Sequence, residues 1–121
     1  MTGSILLVED NEKNMKLVRD VLQAADYDVI EAWTGRQAIE LACEHDPDLV
    51  LMDVQLPDMD GVTALAALRR EERTASIPVL ALTAQAMAGD REKFLAAGFD
   101  GYLSKPVDIA VLVDAVGEYC R

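Results

Sequence analysis

Asp48-Leu49-Val50-Leu51-Met52-Asp53-Val54-Gln55-Leu56-Pro57 is the stretch whose reading decides the fold. Leu49 to Met52 are continuously apolar and lie between turn-prone residues, the pattern of a strand buried on both faces of a parallel sheet. Asp53 then stands at the strand's carboxyl end, where open α/β sheets keep their ligand crevice. Two other apolar runs end in residues suited to that crevice. Glu9-Asp10 closes the first run of the chain, and Ser104-Lys105-Pro106 closes the last.

Outward from this strand, the pattern alternates strand and helix five times. Ser4–Val8 reads as a short strand, followed by a helix over 12–25 with Met15, Val18, Leu22 and Ala25 on one face. Asp28–Ala32 reads as a weaker strand nearer the sheet edge. Thr34 and Gln37 fit a capping box, and the helix they open turns Ala38, Ile39, Ala42 and Cys43 inward before Pro47. After the Asp53 strand, 56–61 is a loop rich in turn residues. A helix over 62–72 with Val62, Leu65 and Leu68 inward follows, then a buried strand over 77–82 that ends at Thr83. The spacing predicts a helix over 88–97 stopped by Gly98, a strand over 101–103, and a last helix capped by Asp108 that buries Ile109, Leu112, Val113 and Val116. Five βα units imply one α/β domain over 1–121, a parallel sheet with helices on both faces.

The chain has 121 residues and is 51% hydrophobic, enough for a sizeable core. Its net charge of −11 argues against nucleic acid and anionic lipid as partners. No apolar stretch approaches the roughly 18 residues of a membrane span. Cys43, Cys120 and His45 show no metal-ligand spacing, so the cysteines read as reduced, structural thiols of a cytoplasmic protein.

The strand ends present Glu9, Asp10, Asp53, Gln55, Thr83 and Lys105 on one edge of the sheet. Three converging carboxylates repel one another unless a cation sits among them. Magnesium fits, because it takes one or two carboxylates and keeps positions for water and phosphate oxygens. A carboxylate left facing solvent can act as a nucleophile and form an aspartyl-phosphate. Phosphoryl transfer then needs mainly positioning and charge neutralisation, to which Lys105 and the Thr83 hydroxyl contribute. Each residue taken singly has a blander role open to it. Glu9-Asp10 could cap the first helix, Asp53 could be a turn residue, and Lys105 could be a surface lysine. The joint arrangement favours the functional role.

These motifs resemble the receiver domain of bacterial two-component response regulators. The resemblance runs from Ser4 to Glu118 and rests on Ile5-Leu6-Leu7-Val8-Glu9-Asp10-Asn11, on the stretch from Leu51 to Gly61, on Ala81-Leu82-Thr83-Ala84 and on Tyr102-Leu103-Ser104-Lys105-Pro106. It implies a flavodoxin-like (βα)5 fold with strand order 2-1-3-4-5. It implies Asp53 as phosphoacceptor and Mg2+ held by Asp10, Glu9, Asp53 and the Gln55 backbone carbonyl. Lys105 is then the phosphate-binding lysine, Thr83 and Tyr102 the switch pair, and Lys105-Pro106 a cis peptide. The Gln55 side chain and Gln85 occupy positions where the family tunes dephosphorylation.

The resemblance is finest to single-domain regulators of the DivK type and to receiver domains of hybrid histidine kinases. The expected donor is a phosphohistidine on a histidine kinase or histidine phosphotransfer protein, docking at the first helix, where Asn14, Met15 or Leu17 could face it. The expected output is protein–protein binding through the fourth helix, last strand and last helix. The chain would be a monomer or a phosphorylation-dependent dimer, and either a natural single-domain protein or an excised receiver. It would not be an enzyme beyond its own phosphorylation and dephosphorylation. A haloacid-dehalogenase-type phosphatase would need a second Asp where Gln55 stands. An EF-hand would place Leu56 and Ala67 at ligand positions. Nucleotide-binding glycine motifs are missing from the sequence.

Overall fold

The computed structural model describes residues 3–84 and 90–120. Its elements run in strict alternation: β1 (Ser4–Val8), α1 (Glu12–Ala24), β2 (Asp28–Ala32), α2 (Gly35–His45), β3 (Leu49–Asp53), α3 (Gly61–Arg70), β4 (Val79–Thr83), α4 (Asp90–Ala97), β5 (Gly101–Ser104) and α5 (Ile109–Tyr119). The five strands form one parallel sheet of order β2-β1-β3-β4-β5, as expected.

Period-two alternation divides the apolar strand residues between two layers. Leu6, Val8, Val50, Met52, Val79 and Ala81 face α2, α3 and α4. Ile5, Leu7, Leu49, Leu51, Leu80 and Leu82 face α1 and α5. Every residue of β3 and β4 is buried. Each fully buried leucine among them contributes about 1.5–3 kcal/mol relative to exposure, and this rigid double layer is the platform that holds the strand ends in place.

Helix starts follow the sequence closely. Asn11, Thr34, Asp60 and Asp108 each accept from the backbone N–H three residues on, at 3.1, 3.0, 2.7 and 3.1 Å. The Gln37 side chain reaches back one residue further than a capping box requires, to the Trp33 N–H at 2.7 Å. Gly98 ends α4 at φ 111°, the left-handed conformation glycine tolerates.

Four expectations need correction. Val62 is 41% exposed, because α3 starts at Gly61 and its buried face is Gly61, Ala64, Leu65 and Leu68. Ile109 is 54% exposed in the first turn of α5, where Leu112 and Val116 make the inward face and Val113 is half-buried. β4 begins at Val79 and not at Ile77. Pro78 has no N–H for a ladder, the Ile77 N–H is held in a turn by Thr74 O, and the Ile77 carbonyl accepts from Arg69 Nη1 at 2.6 Å. Helix α3 stops at Arg70, where Glu71 turns extended. The helix expected over 88–97 is Asp90–Ala97 within the described residues.

Candidate functional site

The carboxyl ends of β1, β3, β4 and β5 meet on one edge of the sheet. After β1, β3 and β5, the residue just past the strand is anchored by a bond to the neighbouring strand. Glu9 N donates to Ala32 O at 3.0 Å, Val54 N to Leu82 O at 3.1 Å, and Lys105 N to Thr83 O at 2.8 Å. The side chains are therefore set by the sheet itself and not by mobile loops. They line a cleft of about 410 Å3 that includes Glu9, Asp10, Asn14, Asp53, Thr83 and Lys105.

Asn11 settles what the first acidic pair does. It is the N-cap of α1, so Glu9 and Asp10 are released from capping. Glu9 is 1% exposed and Asp53 5% exposed. Asp53 Oδ1 accepts from Gln55 N at 2.9 Å, and Asp53 Oδ2 accepts from Lys105 Nζ at 2.8 Å. Glu9 Oε2 accepts from Asn11 N at 3.2 Å. Glu9 Oε1 stands 2.6 Å from Lys105 Nζ in ion-pair contact.

One carboxylate oxygen from each of Glu9, Asp10 and Asp53 lies within 4.8 Å of the others. Burial, then the neighbouring Asp53 carboxyl, pushes the Glu9 pKa up to about 7 against the opposing pull of Lys105 and the Asn11 N–H. Burial draws the Lys105 ammonium downward, but Asp53 and Glu9 outweigh it and leave its pKa raised. The donor set is all hard oxygen, two of its three carboxylates buried. These residues fit a hard dication such as Mg2+.

Thr83 is 2% exposed at the end of β4. It pairs with Ser104, and Ala81 pairs with Tyr102. Thr83 and Tyr102 therefore share one face of the sheet, two residues apart along it. Tyr102 is half-buried, with its ring centroid 6.0 Å from that of Phe94 on α4. The Lys105-Pro106 bond is cis. Gln85, expected to tune dephosphorylation, lies outside the described residues.

Two features of the site escaped the sequence. At Gly61, an added Cβ would fall 2.8 Å from both Asp53 O and Val54 Cα, so the start of α3 touches the backbone that carries Asp53. Asp58 accepts from Gly35 N at 2.8 Å and Arg36 N at 3.0 Å, bonds that hold its pKa below the usual carboxylate value. A glycine after a capping Asp is the signal that could have found the first. No local pattern encodes the second.

The family model described as the response regulator receiver domain matches residues 5–117. The polar-differentiation response regulator DivK of Brucella ovis is 44% identical over 119 residues, which cover 98% of this chain and 97% of that protein. The receiver domain of sensor histidine kinase PA1611 from Pseudomonas aeruginosa, solved with a magnesium ion coordinated in its active site cleft, superposes with a TM-score of 0.90 at 38% identity, covering 98% of each chain. The receiver domain of the Saccharomyces cerevisiae response regulator Ssk1, co-crystallised with the histidine phosphotransfer signalling protein Ypd1, superposes with a TM-score of 0.88 at 28% identity, covering 98% of this chain and 89% of that one.

Proposed function

The chain belongs to the response regulator receiver domains of two-component signalling, and from that premise we propose that Asp53 is its phosphoacceptor. The observation that carries this reading is the grip on Asp53: Lys105 Nζ and Gln55 N each hold one of its oxygens, with oxygens of Glu9 and Asp10 within 4.8 Å. A carboxylate so oriented, at a solvent-facing cleft, is a positioned nucleophile.

In the transfer, an Asp53 oxygen attacks phosphorus, the phosphorus–nitrogen bond of the donor phosphohistidine breaks, and its electron pair returns to the imidazole. Glu9, Asp10, Asp53 and the Gln55 carbonyl would hold Mg2+, which would neutralise phosphoryl charge during the transfer. Lys105 is within reach of both the acceptor and the cleft, so its ammonium can pass from the carboxylate to a phosphoryl oxygen. The Thr83 hydroxyl donates to another. Thr83 and Tyr102 then act as the switch pair, biasing an equilibrium between two arrangements of the α4–β5–α5 face. That face carries Leu95 and Val111, 41% and 54% exposed, beside a shallow cavity of about 370 Å3 lined in part by Leu95, Tyr102 and Tyr119.

The donor is a histidine kinase or histidine phosphotransfer protein docking on α1. Met15 and Val18 are in the core, whereas Leu17 is 45% exposed. Leu17→Asp should therefore impair transfer from the protein donor, and unimpaired transfer would exclude docking there. The chain acts on itself alone and works in the cytoplasm; among the described residues no helix is long and apolar enough to cross a membrane.

Intact mass after incubation with acetyl phosphate and Mg2+ tests the acceptor. Wild type should gain one phosphoryl group and lose the gain when the metal is chelated, while Asp53→Asn should gain none. Normal stoichiometry in Asp53→Asn would overturn the assignment.

A further inference from the structure

The loop over 54–60 connects Asp53 to α3, and it is held at both of its roots. Gln55 N donates to Asp53 Oδ1 at 2.9 Å, Gln55 forms an isolated bridge with Asp60, and Gly61 N donates to Val54 O at 2.8 Å. The crest of the loop is held from elsewhere. Asp58 Oδ1 accepts from Gly35 N at 2.8 Å and Asp58 Oδ2 from Arg36 N at 3.0 Å. Beside it, Met59 packs so closely on Gly35 that an added Cβ would fall 2.5 Å from Met59 Cγ.

Helix α2 does not require this help to begin. Its own cap, Thr34, already accepts from Gln37 N at 3.0 Å, and Ala38 N reaches Thr34 O at 3.0 Å. The first N–H groups of a helix have no partner within it and go to nearby capping side chains, water or ligands. Here the first two, at Gly35 and Arg36, go to one carboxylate more than twenty residues away. Two parallel bonds to adjacent N–H groups fix orientation as well as distance. What they add is a fixed spacing between the start of α2 and the loop that carries Gln55.

We infer that Asp58 is a positioning residue for the metal site, tying the Gln55 loop to the start of α2 so that the Gln55 peptide stays aimed at the cleft. Asp58 acts through Gln55: that residue's N–H holds Asp53 Oδ1, and its carbonyl, in the following peptide, is the fourth metal ligand of the proposed site. The inference rests on the receiver reading given above. With the crest released, the peptide regains rotational freedom that metal binding must then remove, so affinity falls.

Calorimetric titration of the unphosphorylated chain with Mg2+ tests it, using wild type, Asp58→Ala, Asp58→Asn and Thr34→Ala, with folding checked by far-ultraviolet circular dichroism. Asp58→Ala should raise the Mg2+ Kd roughly threefold to tenfold, less than the tenfold or more typical of a group bonded directly to a ligand. Asp58→Asn keeps one carboxamide oxygen and should fall between. Thr34→Ala weakens the same helix start without touching the loop, and should leave the Kd within about twofold even where it lowers Tm further. An unchanged Kd in Asp58→Ala, or an equal loss in Thr34→Ala, would overturn the inference while wild-type binding and phosphorylation leave the receiver reading intact. A wild type that takes up neither Mg2+ nor a phosphoryl group would instead sink both.

Discussion

Lys105 Nζ stands 2.6 Å from Glu9 Oε1 and 2.8 Å from Asp53 Oδ2. One cation thus serves two buried carboxylates. Glu9 is the under-compensated partner, and burial together with its neighbour pushes its pKa to about 7.

This sets a pH dependence with a definite sign. The Glu9 pKa is raised in the folded state, so its contribution to stability is fully present below its ordinary value of 4.5 and is lost as pH rises through about 7. In metal-free solution, urea unfolding should show stability declining across that window. Glu9→Gln should flatten the decline and stabilise the metal-free protein at pH 8 by about 1–3 kcal/mol. With Mg2+ the trend reverses, since the metal needs the carboxylate. Affinity should climb by up to about tenfold per pH unit toward pH 7 and then level off. A pH-independent Mg2+ Kd between pH 5.5 and 7.5 would contradict this.

Gly61→Ala should damage the site through the backbone. The new Cβ would lie 2.8 Å from Asp53 O and Val54 Cα, neither of which can swing away as a side-chain tip could. Relief requires α3 or the end of β3 to shift. The expected loss of stability is about 1–3 kcal/mol by denaturant midpoint, accompanied by slower phosphorylation from acetyl phosphate. Ala66→Gly, on the exposed side of the same helix, should lower stability by about 1 kcal/mol and leave phosphorylation unchanged.

Arg69 offers a test far from the chemistry. Its guanidinium donates to Ala75 O, Ile77 O, Gly98 O and Asp100 Oδ2 at 3.0, 2.6, 3.2 and 3.0 Å. Asp100 in turn accepts from Val79 N at 2.8 Å. The entrance to β4 and the turn before β5 are thus joined twice, by Arg69 and by the direct pairing of Asp100 with Val79. Arg69→Ala should cost roughly 3 kcal/mol, the equivalent of two charge-assisted bonds. Arg69→Lys should recover less than half of that, because an ammonium lacks the planar fork. Full recovery by lysine, read from urea midpoints, would show that charge alone suffices.

Thr83→Ala separates phosphorylation from output. The acceptor and lysine remain, so the phosphoryl group should still be gained in intact mass. Phosphorylation-dependent partner binding should weaken by about fivefold or more, the scale of an ordinary coupling energy. Full retention of that coupling would remove Thr83 from the switch.

The sheet and the acidic edge were legible because their signals are local. A continuous apolar run of strand length, ended by a carboxylate, fits a buried parallel strand and little else, and the caps at Thr34 and Asp108 follow from side-chain reach. Position within a helix was harder. Val62 and Ile109 are apolar and near the right spacing, but which face is inward depends on where the first turn starts, and that is fixed by Gly61 against the Asp53 backbone and by Asp108. Leu17 beside Val18 posed the same ambiguity, resolved when Met15, Val18 and Leu22 took the core. In the sequence Glu9-Asp10 is open to a capping role, and the geometry gives that role to Asn11, whose Oδ1 accepts from Asn14 N. The bond from Asp58 to α2 joins residues more than twenty positions apart and has no periodic trace.

The strand order also governs how the protein comes into being on the ribosome. β2 adds to one side of β1, β3 to the other, β4 beyond β3 and β5 beyond β4. Every strand after the first therefore meets an open edge of what has already emerged, and none must be threaded between earlier ones. Its reactive groups arrive in the same sequence. Glu9 and Asp10 come first, Asp53 third in line among the strands, and Lys105 last. A nascent chain from which β5 has not yet emerged would hold the carboxylates without their ammonium, a self-repelling half-site. Arrival of β5 both completes the sheet and relieves that repulsion, so the fifth strand is the one that makes the acidic edge tolerable.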